Sequence, residues 1–219
     1  MSKPKTELAE VPASAITPQS DLSSTLESTD IDIPRVNVVQ KTSDMTDSEG
    51  KPLPYGAIAL DKRSVLAQAE EPIKVVPLSA IKAWREDIPF DSDEMPKIAN
   101  TAEQKHELGL ASDWPLLEFA EITLLFQGGD DVETFPFPIG DDNYAMGRIN
   151  VAKDAYRQTF KRLATFSVFN KTTPVHTRVW NFQSSSISRG KYSWFAPSLT
   201  ITNEEPSKAV AEFIEGFVL

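Results

Sequence analysis

Apolar positions in this chain fall mostly in short runs with a period of two, the spacing of a strand that buries one face. Residues 33–40 open the series, with Val36 and Val38 alternating against polar neighbours, and residues 53–60 predict a short strand broken by its prolines. Residues 73–78 are β-branched and bounded by Pro72 and Pro77. Residues 116–126 form a nearly continuous apolar run through Leu116, Leu117, Phe119, Ile122, Leu124, Leu125 and Phe126, which predicts a core strand. The turn Gly128-Gly129-Asp130-Asp131 then returns the chain as a partner strand over 132–137. Two further strands are expected over 175–184 and 191–202, joined by a Ser- and Gly-containing turn over 185–190.

The period changes between residues 147 and 168. Ile149, Ala152, Tyr156, Phe160, Leu163 and Ala164 recur at steps of three or four, so one long helix is expected there. Pro206 starts a short C-terminal helix with Ala209, Val210, Phe213, Ile214 and Phe217 on its apolar side. Residues 84–113 are acidic and without a sustained period, which predicts a long surface excursion. Residues 1–33 are rich in Ser, Thr, Pro, Ala and acid, with apolar residues too scattered to offset ordering entropy, which predicts a disordered N-terminal tail. The expected organisation is that tail followed by a single domain over 34–219, mainly β with minor α.

Composition narrows the chemistry by exclusion. With no Cys, thiolate metal sites and cysteine nucleophiles are excluded, and His106 and His176 lie too far apart to suggest a metal site. Metal ligands and cofactors are therefore expected to be none. The acidic groups Asp91, Asp93 and Glu94, Asp130, Asp131 and Glu133, and Asp141 with Asp142 fit solvated or capped turns better than cation sites. No HExxH, GxxxxGK[ST], GxGxxG or GxSxG pattern occurs, so the chain is expected not to be an enzyme. No stretch has the length of a signal peptide or membrane span, and a soluble, cytoplasmic protein is expected.

Charge changes the picture most. The chain carries a net charge of −10, which opposes binding to polyanions, yet the window 148–192 holds nine basic residues and one acid, Asp154. On the expected helix, Lys153, Arg157 and Lys161 are spaced i, i+4, i+8, which stacks three cations on one face. On the strand after it, alternation sets His176, Arg178, Trp180 and Phe182 on one side. Arg189, Lys191, Tyr192 and Trp194 extend the mixture of cations and rings through the hairpin. Rings that stack on bases beside cations that follow phosphates are what a single-stranded nucleic acid requires. Internal pairing of these cations with acidic loops from 86–142 is the competing explanation. For Phe160, Phe166 and Phe195, a place in the core is the simpler expectation.

Several stretches resemble a family of tailed-phage single-stranded-DNA-binding proteins built on an OB-like barrel. They are Ile33-Pro34-Arg35-Val36-Asn37-Val38-Val39-Gln40-Lys41-Thr42-Ser43, Tyr55-Gly56, Val75-Val76-Pro77-Leu78 with Trp84, Phe160-Lys161-Arg162-Leu163, and the segment 191–201. The family's cysteine-bearing central insertion has no counterpart in residues 86–115, which contain no Cys. The resemblance implies an OB-like antiparallel barrel, although the same strands could also build a sandwich. It implies a protein that coats single-stranded DNA without strong sequence preference during phage replication or recombination, in the host cytoplasm. Expected partners are single-stranded nucleic acid, with DNA ahead of RNA, and replication or recombination proteins. Self-association into a homo-oligomer is compatible with the sequence. A protein-interaction or virion-structural module, whose basic strip pairs with acidic neighbours, is the alternative.

Overall fold

The computed structural model describes residues 32–89 and 92–216. The tail expected over 1–33 lies outside them except at its end, where Ile33 is buried and belongs to the domain. From Ile33 onward the described residues group as one compact unit.

The domain is mainly β, a curled antiparallel half-barrel with few helices. Its strands are β1 (Val36–Val38), β2 (Ile58–Leu60), β3 (Ser64–Ala67), β4 (Ile73–Glu86), β5 (Ile98–Ala99), β6 (Leu116–Gln127), β7 (Phe137–Ile139), β8 (Asp142–Ala152), β9 (Trp180–Arg189) and β10 (Tyr192–Ile201). The large sheet runs β10-β9-β4-β6-β8-β7, with β5 added along β4, and β1-β2-β3 make a second small sheet. Strand β6 reads as a continuous apolar run because both of its faces are covered. Ile122, Leu124 and Phe126 point into the main core with Phe182 and Leu199, while Leu125 packs on the outside against Val76, Tyr144, Val179 and Val210. Val210 comes from the C-terminal helix α4 (Lys208–Gly216), which covers that outer face. Phe217, assigned to the same apolar side in the sequence, lies outside the described residues.

The small sheet packs across the open side of the half-barrel. Val36, Ile58, Leu66 and Ala67 share one core with Phe126, Phe182 and Leu199. Gly147 on β8 is what lets β1 approach: a Cβ there would sit 2.4 Å from Val36 Cγ2 and 2.9 Å from Leu60 Cδ1. The entering chain is fastened at the same place, with the Arg148 N–H donating to Pro34 O at 2.9 Å. On the other side, Gln40 acts as a substitute strand for the outer edge of β10. Its side-chain nitrogen donates to Phe195 O at 2.8 Å and its side-chain oxygen accepts from Phe195 N at 3.2 Å. Further along that edge Arg162 donates to Leu199 O at 2.6 Å, and Pro197 has no N–H to offer. Side chains thus occupy backbone groups of this edge that another strand would need. Replacing Gln40 by Leu leaves both Phe195 backbone groups without a partner and should cost about 1–3 kcal/mol, measurable by urea unfolding.

Several elements depart from expectation. The 84–113 stretch is no structureless excursion: β4 continues to Glu86, β5 follows, and helix α1 (Ala102–Ala111) is held by a capping box. There Thr101 Oγ1 accepts from Gln104 N at 3.2 Å, and Gln104 Oε1 accepts from Thr101 N at 3.3 Å. The partners of β6 are β4 and β8, whereas residues 132–134 form a turn in which Asp131 accepts from the Glu133 and Thr134 N–H groups. Strand β3, unforeseen in the sequence, follows β2 through a turn with positive φ at Asp61 and Lys62. The single long helix expected over 147–168 is instead the end of β8 followed by two helices, α2 (Lys153–Gln158) and α3 (Phe160–Phe169). They break at Thr159, whose φ of −120° and ψ of −82° are not helical. Its side chain is fully buried and donates to Ala155 O at 2.7 Å.

Candidate nucleic-acid interface

Strands β9 and β10 are joined by the two-residue turn Gly190-Lys191, closed by the pair Arg189 and Tyr192. Gly190 has a φ of +60° while Lys191 is not left-handed, the pattern in which glycine is favoured at the first turn position. Directly paired residues share a face. Register therefore puts Arg189, Tyr192, Ile187 and Trp194 on one face of the arm, and Ser193 and Phe195 on the other.

The first face carries two ring and cation pairs. The Arg189 guanidinium lies 5.8 Å from the Trp194 ring centroid, and the Lys191 ammonium lies 5.3 Å from that of Tyr192. Tyr192 is 66% exposed and Trp194 is half-buried, so both rings are accessible. The second face meets residues from the connection between β1 and β2. Tyr55 stacks edge-on against Phe195 at 4.8 Å, and its hydroxyl donates to Ser193 O at 3.5 Å. Lys41 lies 5.4 Å from the Tyr55 centroid and donates to Ser193 Oγ at 3.3 Å. Three ring and cation pairs thus surround one hairpin tip. Gly56 makes this seating possible, because a Cβ there would strike the Phe195 ring at 2.7 Å.

Helix α2 approaches the tip from the side. Asp154 accepts from Arg189 at 2.7 Å and also from Arg157, so one carboxylate holds a cation from each element. Lys153 begins the same helix and pairs with Asp87 at 3.4 Å.

The structure separates the other residues singled out in the sequence. Trp180 and Phe182 are 2% and 0% exposed, so neither ring can stack on a base. Trp180 lies edge-on to Phe166 at 5.6 Å and donates from its indole nitrogen to Val175 O at 3.2 Å, while Phe182 meets Phe126 edge-on at 5.7 Å. The alternating face expected from His176 to Phe182 does not exist, because residues Val175–Thr177 form a 3-10 turn and β9 begins only at Trp180. Arg178 pairs with Glu205 at 3.0 Å and lies at the far end of β9 from Arg189, about 30 Å away for a ten-residue strand. The break at Thr159 also dissolves the stripe of Lys153, Arg157 and Lys161. Of these, the first two have acidic partners; among the described residues Lys161 and Lys191 have none within ion-pair distance.

Lys41 and Tyr55 are the site residues that sequence reasoning missed. They lie about 140 residues before the hairpin, and only the stretches resembling the phage family touched them. Among the described residues no group of three or more His, Asp or Glu side chains is placed to hold a metal ion, and no helix is long and apolar enough to cross a membrane. Comparison with protein-family models, with curated proteins and with solved structures finds no match to this chain.

Proposed function

We propose that the chain is a non-catalytic single-stranded-DNA-binding protein that coats DNA with little sequence preference. Its place would be in the cytoplasm beside replication or recombination proteins, as the resemblance to the phage family implies. The observation that carries this reading is the gathering of Arg189 with Trp194, Lys191 with Tyr192 and Lys41 with Tyr55 around one hairpin tip. Exposed rings take bases of any identity, and cations beside them take the phosphates between those bases. The site is narrower than the sequence suggested, since Arg178, Trp180 and Phe182 drop out of it. An acidic remainder repels duplex phosphates that do not enter the tip, so weak affinity for duplex accompanies this arrangement.

The salt dependence of oligonucleotide binding tests the reading. Single-strand affinity falls with log salt at a slope of about −0.7 per neutralised phosphate, so Lys191→Ala should shallow the slope by about 0.7. Fluorescence anisotropy of a labelled oligodeoxythymidylate at several salt concentrations measures it. An unchanged slope would remove Lys191 from the phosphate path, and no binding at any salt would favour a protein-interaction module.

A further inference from the structure

A groove of about 740 Å³ opens between α3 and the end of β10. Phe166, Phe169 and Ile201 supply its apolar surface, with Phe169 82% and Ile201 42% exposed. Apolar surface left in water beside a concavity marks a place for a ligand. Arg157, Lys161 and Arg162 line the same groove, and none of the described residues around it is acidic. Arg162 is bonded to Leu199 O and Thr200, and Arg157 to Asp154, so Lys161 is the cation left for a ligand. The neutral polar side chains turn back on α3 itself. Thr165 Oγ1 donates to Lys161 O at 2.6 Å, and Asn170 Nδ2 donates to Phe166 O at 2.9 Å. What faces the solvent is therefore mainly ring and positive charge, a surface that takes bases without reading their identity.

We infer that this groove is the second stretch of the single-strand path: DNA that engages the hairpin tip continues along α2 and α3, sets a phosphate at Lys161 and stacks a base on Phe169. This assignment rests on the single-strand reading of the tip and gives that site its length. Asp154 joins the two parts. The same carboxylate oxygen accepts from Arg189 at the tip and from Arg157 in the groove, so the two guanidinium groups sit side by side. Beyond them, Lys161, Thr165 and Phe169 follow at i, i+4 and i+8 on one stripe of α3, about 12 Å long. The span fits a single strand. Tyr192 and Ile201 are the two ends of β10, about 30 Å apart. That distance takes up to about nine nucleotides at the stacked spacing of about 3.4 Å, within the roughly 4–16 that single-strand-binding domains cover. An acidic peptide would answer the charge equally well, but a strand added to the edge of β10 needs Leu199 O, which Arg162 already occupies. A base needs only a flat apolar face.

Affinities for oligodeoxythymidylates of about 4 and about 16 nucleotides separate groove from tip, because only the longer strand spans both. Phe169→Ala is expected to weaken binding of the longer strand at least about fivefold and to leave the shorter one unchanged. Phe169→Tyr keeps the ring and should retain the affinity, whereas Phe169→Leu should not. Lys161→Ala should shallow the salt slope of the longer strand by about 0.7 and leave that of the shorter one as it was. Both side chains are exposed, so the variants keep their fold, as circular dichroism would register. Unchanged affinity of Phe169→Ala and Lys161→Ala for the longer strand, with Tyr192→Ala and Trp194→Ala together weakening it, would overturn the inference, leave the tip standing and give the groove to a protein partner. Full affinity in Phe169→Leu would equally overturn the stacking role. Failure of both lengths to bind the unmodified protein at any salt would overturn the tip and the groove together.

Discussion

Trp180→Ala is expected to destabilise the domain strongly, leaving oligonucleotide affinity unchanged wherever the protein remains folded. The ring is 2% exposed, lies edge-on to Phe166 and holds Val175 O through its indole nitrogen. Removing a buried ring of this size leaves a cavity and takes one of the two donors from Val175 O, which keeps the Arg178 N–H, at a cost of about 3–5 kcal/mol. That is a large share of the roughly 5–15 kcal/mol by which domains are stable. For a domain of this length it lowers the Tm by roughly 6–20 °C. Thermal unfolding followed by circular dichroism measures the loss, and binding assayed well below the new midpoint separates the two effects. A folded Trp180→Ala variant with weakened binding would put the ring back in the interface.

The opposite result is expected at the hairpin. Tyr192→Ala combined with Trp194→Ala removes both rings of the outer face while leaving the buried core intact. Stacking is worth about 1–3 kcal/mol per base, so the pair should weaken single-strand binding by at least roughly 30-fold. The Tm should change little, because Tyr192 is mostly exposed and Trp194 is half-buried. Tyr192→Phe with Trp194→Phe keeps the π faces and should retain most of the affinity. Equal losses in the Ala and Phe variants would mean that hydrogen bonding by the hydroxyl and indole groups carries the contact.

The contrast between those two tryptophans shows where the sequence is informative. A nearly continuous apolar run identified β6, and shorter apolar runs the β9–β10 arm, because burial itself imposes such patterns. They could not decide between Trp180 and Trp194. Both are rings beside cations in the sequence, and which face is covered depends on Phe166 from α3 and on the small sheet. Helix α1 was invisible to periodicity because it buries none of its residues, and the Thr101 and Gln104 box was its only local sign. The break between α2 and α3 was hidden for the opposite reason. Apolar spacing runs unbroken across Thr159, and the buried hydroxyl that turns the chain leaves no mark on hydrophobicity.

Charge was legible as a total and misleading in detail. The basic window is real, yet Asp154, its one acid, binds both Arg157 and Arg189. Lys153 and Arg178 find Asp87 and Glu205 from segments distant in sequence. The Asp154 side chain is only 14% exposed, but the two guanidinium groups that it holds are 58% and 61% exposed, so a phosphate can reach them from solvent in competition with the carboxylate. Asp154→Asn should therefore free two guanidinium groups and tighten single-strand binding, most clearly at low salt, as oligonucleotide anisotropy would register.

The most direct measurement is a titration of the unmodified protein with a short oligodeoxythymidylate, following tryptophan fluorescence at low and at near-physiological salt. Stacking at Trp194 predicts saturable quenching whose midpoint moves to higher concentration as salt rises. Fluorescence that stays constant at both salt concentrations, with no oligonucleotide retained by the protein, would contradict the assignment of the hairpin tip as a nucleic-acid interface.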